Sequence, residues 1–439
     1  MSTENTLAIK TALWMPDNPT PLVKDFLSRP AFDGTAETSA GEILTDVKKN
    51  GDEAVARYIQ QLDGADLAPK EFAVQRAELN AARDQVEAGF IAAAQEAHKR
   101  INSFAHASLK KDWSTFTPKG GTVGEQFAPM ERVGLYIPGG QRPLASTALM
   151  TVTLAKAAGV PEIVACSPVD NSKRMNPYLL YALELAGATE IYKIGGIQAI
   201  GAMAYGTATI RKVVKIAGPG GTFVTAAKRN VYGHVALDLV AGPSEIAILA
   251  DDSAQAEVVA ADLLSQAEHG TGFEKALLVT PSSHLAQAVA RELARQAEGL
   301  SHRAAIQRVL TEGTLIVIVN HLDAGMELCN RFAPEHLQIM VREPRLWLKK
   351  VRHAGAVFVG DWTPECVGDY VAGPSHVLPT GGTARMFSGL TTDDFRTRTS
   401  VVAYTRADLK NALPIIEAFG QVEGLDAHTH SARIRFEKA

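Results

Sequence analysis

At 439 residues the chain is long enough for two or three domains, each with a core of its own. Hydrophobic residues make up 46% and charged residues 21%, and a net charge of −4 gives nucleic acid or an anionic membrane no overall field to follow. The opening MSTENTLAIK lacks the apolar run of a signal peptide, and no apolar stretch reaches the roughly 18 residues of a membrane span. Cys166, Cys329 and Cys366 are too scattered for a disulfide framework or a cysteine zinc site, so a cytoplasmic protein is expected.

In chain order, residues from about 38 to 112 read as helical, with apolar groups such as Ile43, Leu44, Val47, Ala54, Val55 and Tyr58 at three- and four-residue spacing. A polar stretch, STFTPKGGTVGEQ at 114–126, reads as a linker or hairpin. From residue 132 short β-branched runs alternate with helical patterns: VGLYI at 133–137, EIVAC at 162–166, EIYKI at 190–194 and KVVKI at 212–216. That alternation predicts βαβ units on a parallel sheet. A second series follows, with EIAILAD at 245–251, ALLVTP at 276–281, LIVIV at 315–319 and AVFVG at 356–360. Beyond about 380 a polar connection leads to an amphipathic helix with a stripe of Leu409, Leu413, Ile416 and Phe419, and then to a short tail.

The expected fold is α/β, with two Rossmann-like domains of parallel sheets flanked by helices, a helical N-terminal part and a small C-terminal tail domain. The boundaries drawn are an arm at 1–35, one α/β domain from 36–118 with 242–378, a second at 119–241, and the tail at 379–439.

Three strands of the first series run into glycine pairs: Gly139-Gly140, Gly195-Gly196 and, after Ala217-Gly218-Pro219, Gly220-Gly221. None forms G-x-G-x-x-G, and each alone fits a turn needing positive φ equally well. Together they would line one edge of a sheet, where doubly wound folds bind ligands. Gln266 and His269 stand three apart near the end of the helical run AADLLSQAEHG, just before Gly270. Such a pair can share a metal, although a polar helix face explains most pairs at this spacing. Glu335 and His336 follow Pro334, where a turn can aim a carboxylate and an imidazole into one cavity; a surface turn is the plainer alternative. Asp369 and His376 lie in a glycine- and proline-rich stretch beyond AVFVG, and Glu423 and His428 flank a turn after the last helix.

Seven segments, ERVGLYIPGG, GGIQAIGAMAYGT, AGPSE, AADLLSQAEHG, NRFAPEHLQ, TPECVGDYVAGPSHVLPT and EGLDAH, resemble in order the motifs of the histidinol dehydrogenase family, from about residue 40 to the end. The resemblance implies an NAD- and zinc-dependent oxidation of L-histidinol through the aldehyde to L-histidine. Zinc would be held by Gln266, His269, Asp369 and His428. His336 would take the alcohol proton, and Glu335 would activate the water that adds to the aldehyde. Substrate contacts would come from Ser244, Gln266, His269, His336, Asp369, His376, Glu423 and His428. Tyr136 and Gln198 match nucleotide contacts, while Gly221 stands where the family's GPGN turn carries asparagine, and Arg142 departs from the small or hydroxyl residues expected after the first glycine pair. The resemblance further implies a homodimer in which the tail crosses to complete the partner's site. Two alternatives remain open at this level: a related enzyme oxidising another small alcohol such as a sulfonated diol, and a zinc hydrolase or binding protein without redox chemistry.

Overall fold

The computed structural model describes residues 9–29, 34–139, 143–239, 242–269 and 271–437; Gly140, Gln141, Arg142 and Gly270 lie outside them. Two parallel sheets form its frame. The first has five strands in the order Glu190–Tyr192, Glu162–Cys166, Arg132–Tyr136, Lys215–Ala217, Ala236–Leu237. Its earliest strand is central, and the chain winds outward first to one side and then to the other. The crevice between Arg132–Tyr136 and Lys215–Ala217 is therefore the topological switch point. The second sheet has six strands, Lys10–Leu13, Thr314–Ile318, Lys275–Thr280, Glu245–Ala250, His336–Met340 and Ala356–Val359. Every residue of Arg132–Tyr136, Glu245–Ala250 and His336–Met340 is buried. Strands covered on both faces need such near-continuous apolar runs, which is why seven of the eight runs read from the sequence form strands over most of their length here, while of KVVKI only Lys215 and Ile216 enter the strand Lys215–Ala217.

Two strands of the larger sheet escape that reading. Lys10–Leu13 (KTAL) has no β-branched run, and His336–Met340 begins at the pair expected to lie on a turn. The stretch after AVFVG, expected as a loop, contains a short helix, Glu365–Tyr370, whose first turn follows Pro364.

Core packing divides the chain differently from the boundaries drawn above. Leu44, Val47, Val55 and Ile101 from the early helices share one cluster with Leu135, Ile163 and Ile216 of the five-stranded sheet. Residues 36–108 thus cover that sheet, whereas the boundaries drawn above place them with 242–378. Local periodicity reports which face of a helix is apolar but not which sheet it meets. Trp14, Val23 and Phe26 of the N-terminal arm join the core of the six-stranded sheet.

The stretch 114–126 proves to be a hairpin. Trp113–Phe116 and Thr122–Pro129 pair antiparallel, and Arg396–Ala403 adds a third strand on the other side. The tail helix Arg406–Glu423 is fastened to the hairpin turn by Asp408, whose buried carboxylate accepts hydrogen bonds from Thr117 Oγ1 (2.7 Å), Lys119 N (3.0 Å), Gly121 N (2.9 Å) and Thr405 Oγ1 (2.7 Å). A second helix, Asp426–Glu437, packs on the first. Among the described residues no helix is long and apolar enough to cross a membrane.

Candidate active site

The helix Leu322–Phe332 ends at Ala333, which takes a left-handed φ of 48° and turns the chain through Pro334 into the strand His336–Met340. Glu335 and His336 therefore sit at the amino edge of the six-stranded sheet, beside the start of Glu245–Ala250. Glu245 holds both through its backbone: its N–H donates to Glu335 Oε2 (3.0 Å), and its carbonyl lies 3.2 Å from His336 Nδ1. Both side chains are buried, and Glu335 Oε2 stands 3.7 Å from His336 Nδ1.

The two hydrogen-bond partners of His336 Nδ1 are both acceptors: Gln266 Oε1 at 3.1 Å and the Glu245 carbonyl at 3.2 Å. Nδ1 carries the proton in this setting, which leaves Nε2 with a free lone pair. Burial lowers the His336 pKa to about 4, so the imidazole is neutral near pH 7 and able to accept a proton.

Gln266 and His269 come from the end of the helix Ala256–Ala267. Gln266 is fully buried, and its Nε2 lies 2.6 Å from His269 Nδ1, so one amide links His269 to His336. Asp369 arrives on Glu365–Tyr370, and ligand atoms of His269, Glu365 and Asp369 lie within 4.8 Å of one another. Glu365 escaped the sequence reading. Its signal was the Glu-x-x-x-Asp spacing with Asp369, legible only if the segment is helical. Burial, and after it the neighbouring carboxylates, push Glu365 well above the ordinary carboxylate range; burial raises Glu335 in the same direction. Nitrogen and oxygen donors among crowded carboxyls fit a divalent cation, whose charge offsets what the carboxyls impose on one another.

His376 stands on the loop after Asp369. Its Nδ1 lies 3.0 Å from the Asp369 carbonyl and its Nε2 3.0 Å from Thr147 Oγ1. Thr147 belongs to the helix Ala145–Ala157, which follows the central strand of the other sheet. The Thr147–His376 contact thus joins the carboxyl edge of the five-stranded sheet to the segment that carries Asp369. On the former, Gly218 (φ 111°) packs so closely under Tyr136 that an added Cβ would stand 2.2 Å from its carbonyl oxygen. Tyr136 OH accepts from Gly196 N (3.2 Å), and Gln198 is buried with both amide atoms lacking a partner. A buried amide with nothing to bond calls for a ligand or a water.

Ser244 is half-buried just before Glu245. Glu423 and His428 are exposed on the tail helices, and His428 is outside the His269–Glu365–Asp369 group.

Two parallel sheets, one bearing a neutral imidazole beside a carboxyl and the other glycine turns at its switch point, make this an α/β enzyme of the nucleotide-using kind. The sequence profile for histidinol dehydrogenase matches residues 28–436. A histidinol dehydrogenase of Moorella thermoacetica is 45% identical over 90% of this chain and 93% of its own length, and one of Heliobacterium mobile is 43% identical over 92% and 95%. The crystal structure of histidinol dehydrogenase from Elizabethkingia anophelis superposes with a TM-score of 0.93 at 35% identity, covering 98% of each chain. The chain belongs to the histidinol dehydrogenase family. It is an oxidoreductase acting on a small molecule, and membership implies NAD and a metal ion.

Proposed function

We propose that the protein oxidises L-histidinol through L-histidinal to L-histidine with two NAD, in the last steps of histidine biosynthesis, as a cytoplasmic homodimer containing zinc. The observation that carries this reading is the Glu335–His336 pair, buried side by side next to the His269–Glu365–Asp369 group. Gln266, His269 and Asp369, with His428 of the partner subunit, would hold the metal; Tyr136, Gln198 and the turn at Gly221 would hold the nucleotide. When bound, NAD accepts the hydride and the metal grips the nitrogen donors of the substrate.

The remaining chemistry belongs to the side chains. His336 Nε2 takes the hydroxyl proton while hydride leaves the alcohol carbon, because Nδ1 is already committed to Gln266 and Glu245. Glu335 then takes a proton from the water that adds to the aldehyde, and the resulting hydrate gives up the second hydride. Ser244 and His376 line the substrate's approach, and Glu423 of the partner subunit would complete it. Exposed Ile415, Phe419 and Val422 on the tail helix favour a partner, because apolar side chains clustered on one helix face mark an interface.

One preparation tests function and metal together. Purified protein is expected to carry about one zinc per subunit, and to produce NADH with L-histidinol in preference to other amino alcohols and sulfonated diols. Absence of any transition metal together with full activity in chelator would exclude the metal assignment. Turnover of a sulfonated diol but not of histidinol would replace the substrate.

Gly221 supplies a further test. Its φ of −65° and ψ of 177° suit any residue, and a Cβ there meets nothing within 4 Å. It is the N-cap of Thr222–Asn230 with no side-chain cap, a position asparagine favours. Gly221→Asn is expected to lower the KM for NAD by about threefold to tenfold, the worth of one hydrogen bond. An unchanged or higher KM, with kcat preserved, would remove position 221 from the cofactor site.

A further inference from the structure

Beneath the Gly218–Gly221 turn lies an ion pair that none of the chemistry above uses. Lys228, on the helix Thr222–Asn230, sends its side chain back toward the helix N-terminus, the direction helical side chains favour. Its Nζ donates to the Gly218 carbonyl (2.9 Å) and lies 2.5 Å from Asp238 Oδ1. Asp238, just past the edge strand Ala236–Leu237, accepts the Gly218 N–H on Oδ2 (2.8 Å). The two side chains are only 3% and 1% exposed. Both polar groups of one glycine are thus gripped from opposite sides by a buried pair, at the residue whose left-handed backbone brings the turn against Tyr136.

A buried ion pair contributes little net stability compared with apolar residues of the same shape, and its best-attested use is to specify one geometry. The geometry specified here is the turn at the switch point. Without the pair, Gly218 keeps its close approach to Tyr136 but loses the bonds that fix the orientation of its peptide.

We propose that Lys228 and Asp238 are positioning residues for the nucleotide: they hold the Gly218–Gly221 turn in the conformation that receives the cofactor. The proposal rests on the reading of that turn as part of the NAD site. Removing one partner strands a buried charge and threatens folding, so the informative variant is the double change Lys228→Met with Asp238→Asn, which leaves no lone charge and keeps an acceptor for the Gly218 N–H. In the zinc-loaded enzyme the double variant is expected to raise the KM for NAD by about tenfold to a hundredfold, the cost of misplacing a binding element by around an ångström. The KM for L-histidinol, the metal content and the melting temperature should stay near wild type, whereas a merely structural role would move melting temperature and leave the two KM values in proportion. An unchanged KM for NAD in the folded double variant overturns the positioning role. Hydrogen exchange on the wild type separates this from failure of the underlying reading. NAD should protect the amides of residues 216–224, and no protection there would remove the turn from the nucleotide site and the proposal with it.

Discussion

Glu335→Gln is expected to keep most of the alcohol oxidation and to lose the aldehyde-to-acid step by about a hundredfold to a thousandfold, the usual scale for a missing general base. The glutamine oxygen can still accept the Glu245 N–H that now meets Glu335 Oε2 at 3.0 Å, so the shape of the pocket survives. What disappears is a group able to take a proton from water. His336→Asn should slow both half-reactions by about a hundredfold or more, because the only lone pair free of the Gln266 and Glu245 contacts is gone. Burial raises the Glu335 pKa, so its basic form accumulates only above the ordinary carboxylate range, and the second half-reaction should gain rate as pH rises. Separate rates for L-histidinol and L-histidinal, followed by NADH formation, decide the matter. Equal effects of Glu335→Gln on the two substrates would take the water-activating role from Glu335.

The other large effect concerns assembly. His269→Ala and His428→Ala are each expected to be nearly inactive alone, yet to recover activity when mixed. If the tail completes the partner's site, a mixed dimer holds one site with both histidines and one with neither. After random re-association half the dimers are mixed and half their sites are whole, so about a quarter of wild-type activity should return. Exposed His428 lies outside the His269–Glu365–Asp369 group of its own chain, which favours this outcome. A tail serving its own subunit predicts no recovery at any ratio, since every site then keeps one lesion.

Strands and glycine turns were legible in the sequence because they depend on local pattern. Each of the eight β-branched runs overlaps a strand, although of KVVKI only Lys215 and Ile216 do, and the Gly195-Gly196 and Gly220-Gly221 turns follow strands of one parallel sheet. Long-range partnership was not legible. Nothing in residues 36–108 reveals that they cover the five-stranded sheet. Glycine turns stand at the carboxyl edge of the five-stranded sheet, where ligands of parallel sheets generally gather, whereas the Glu335–His336 pair stands at the amino edge of the six-stranded sheet, where His336 and Glu245 open their strands. Glu365 was hidden because two prolines and two glycines disguised a helical turn. Arg142 lies outside the described residues, and Gly221, legible only as a departure from GPGN, proves to be a helix cap with room for a side chain.

Asp408 bears on how such a dimer would form. By tying the tail helix to the 117–121 turn through Thr117, Lys119 and Gly121, it makes the tail and its hairpin one prefabricated piece. A segment that orders itself only on meeting its partner surrenders chain entropy at that moment, and its affinity suffers accordingly. A piece already shaped by its own subunit avoids that penalty. Association would then be the docking of finished surfaces, and its strength would depend on the fit of the exposed Ile415, Phe419 and Val422 rather than on the tail's capacity to fold.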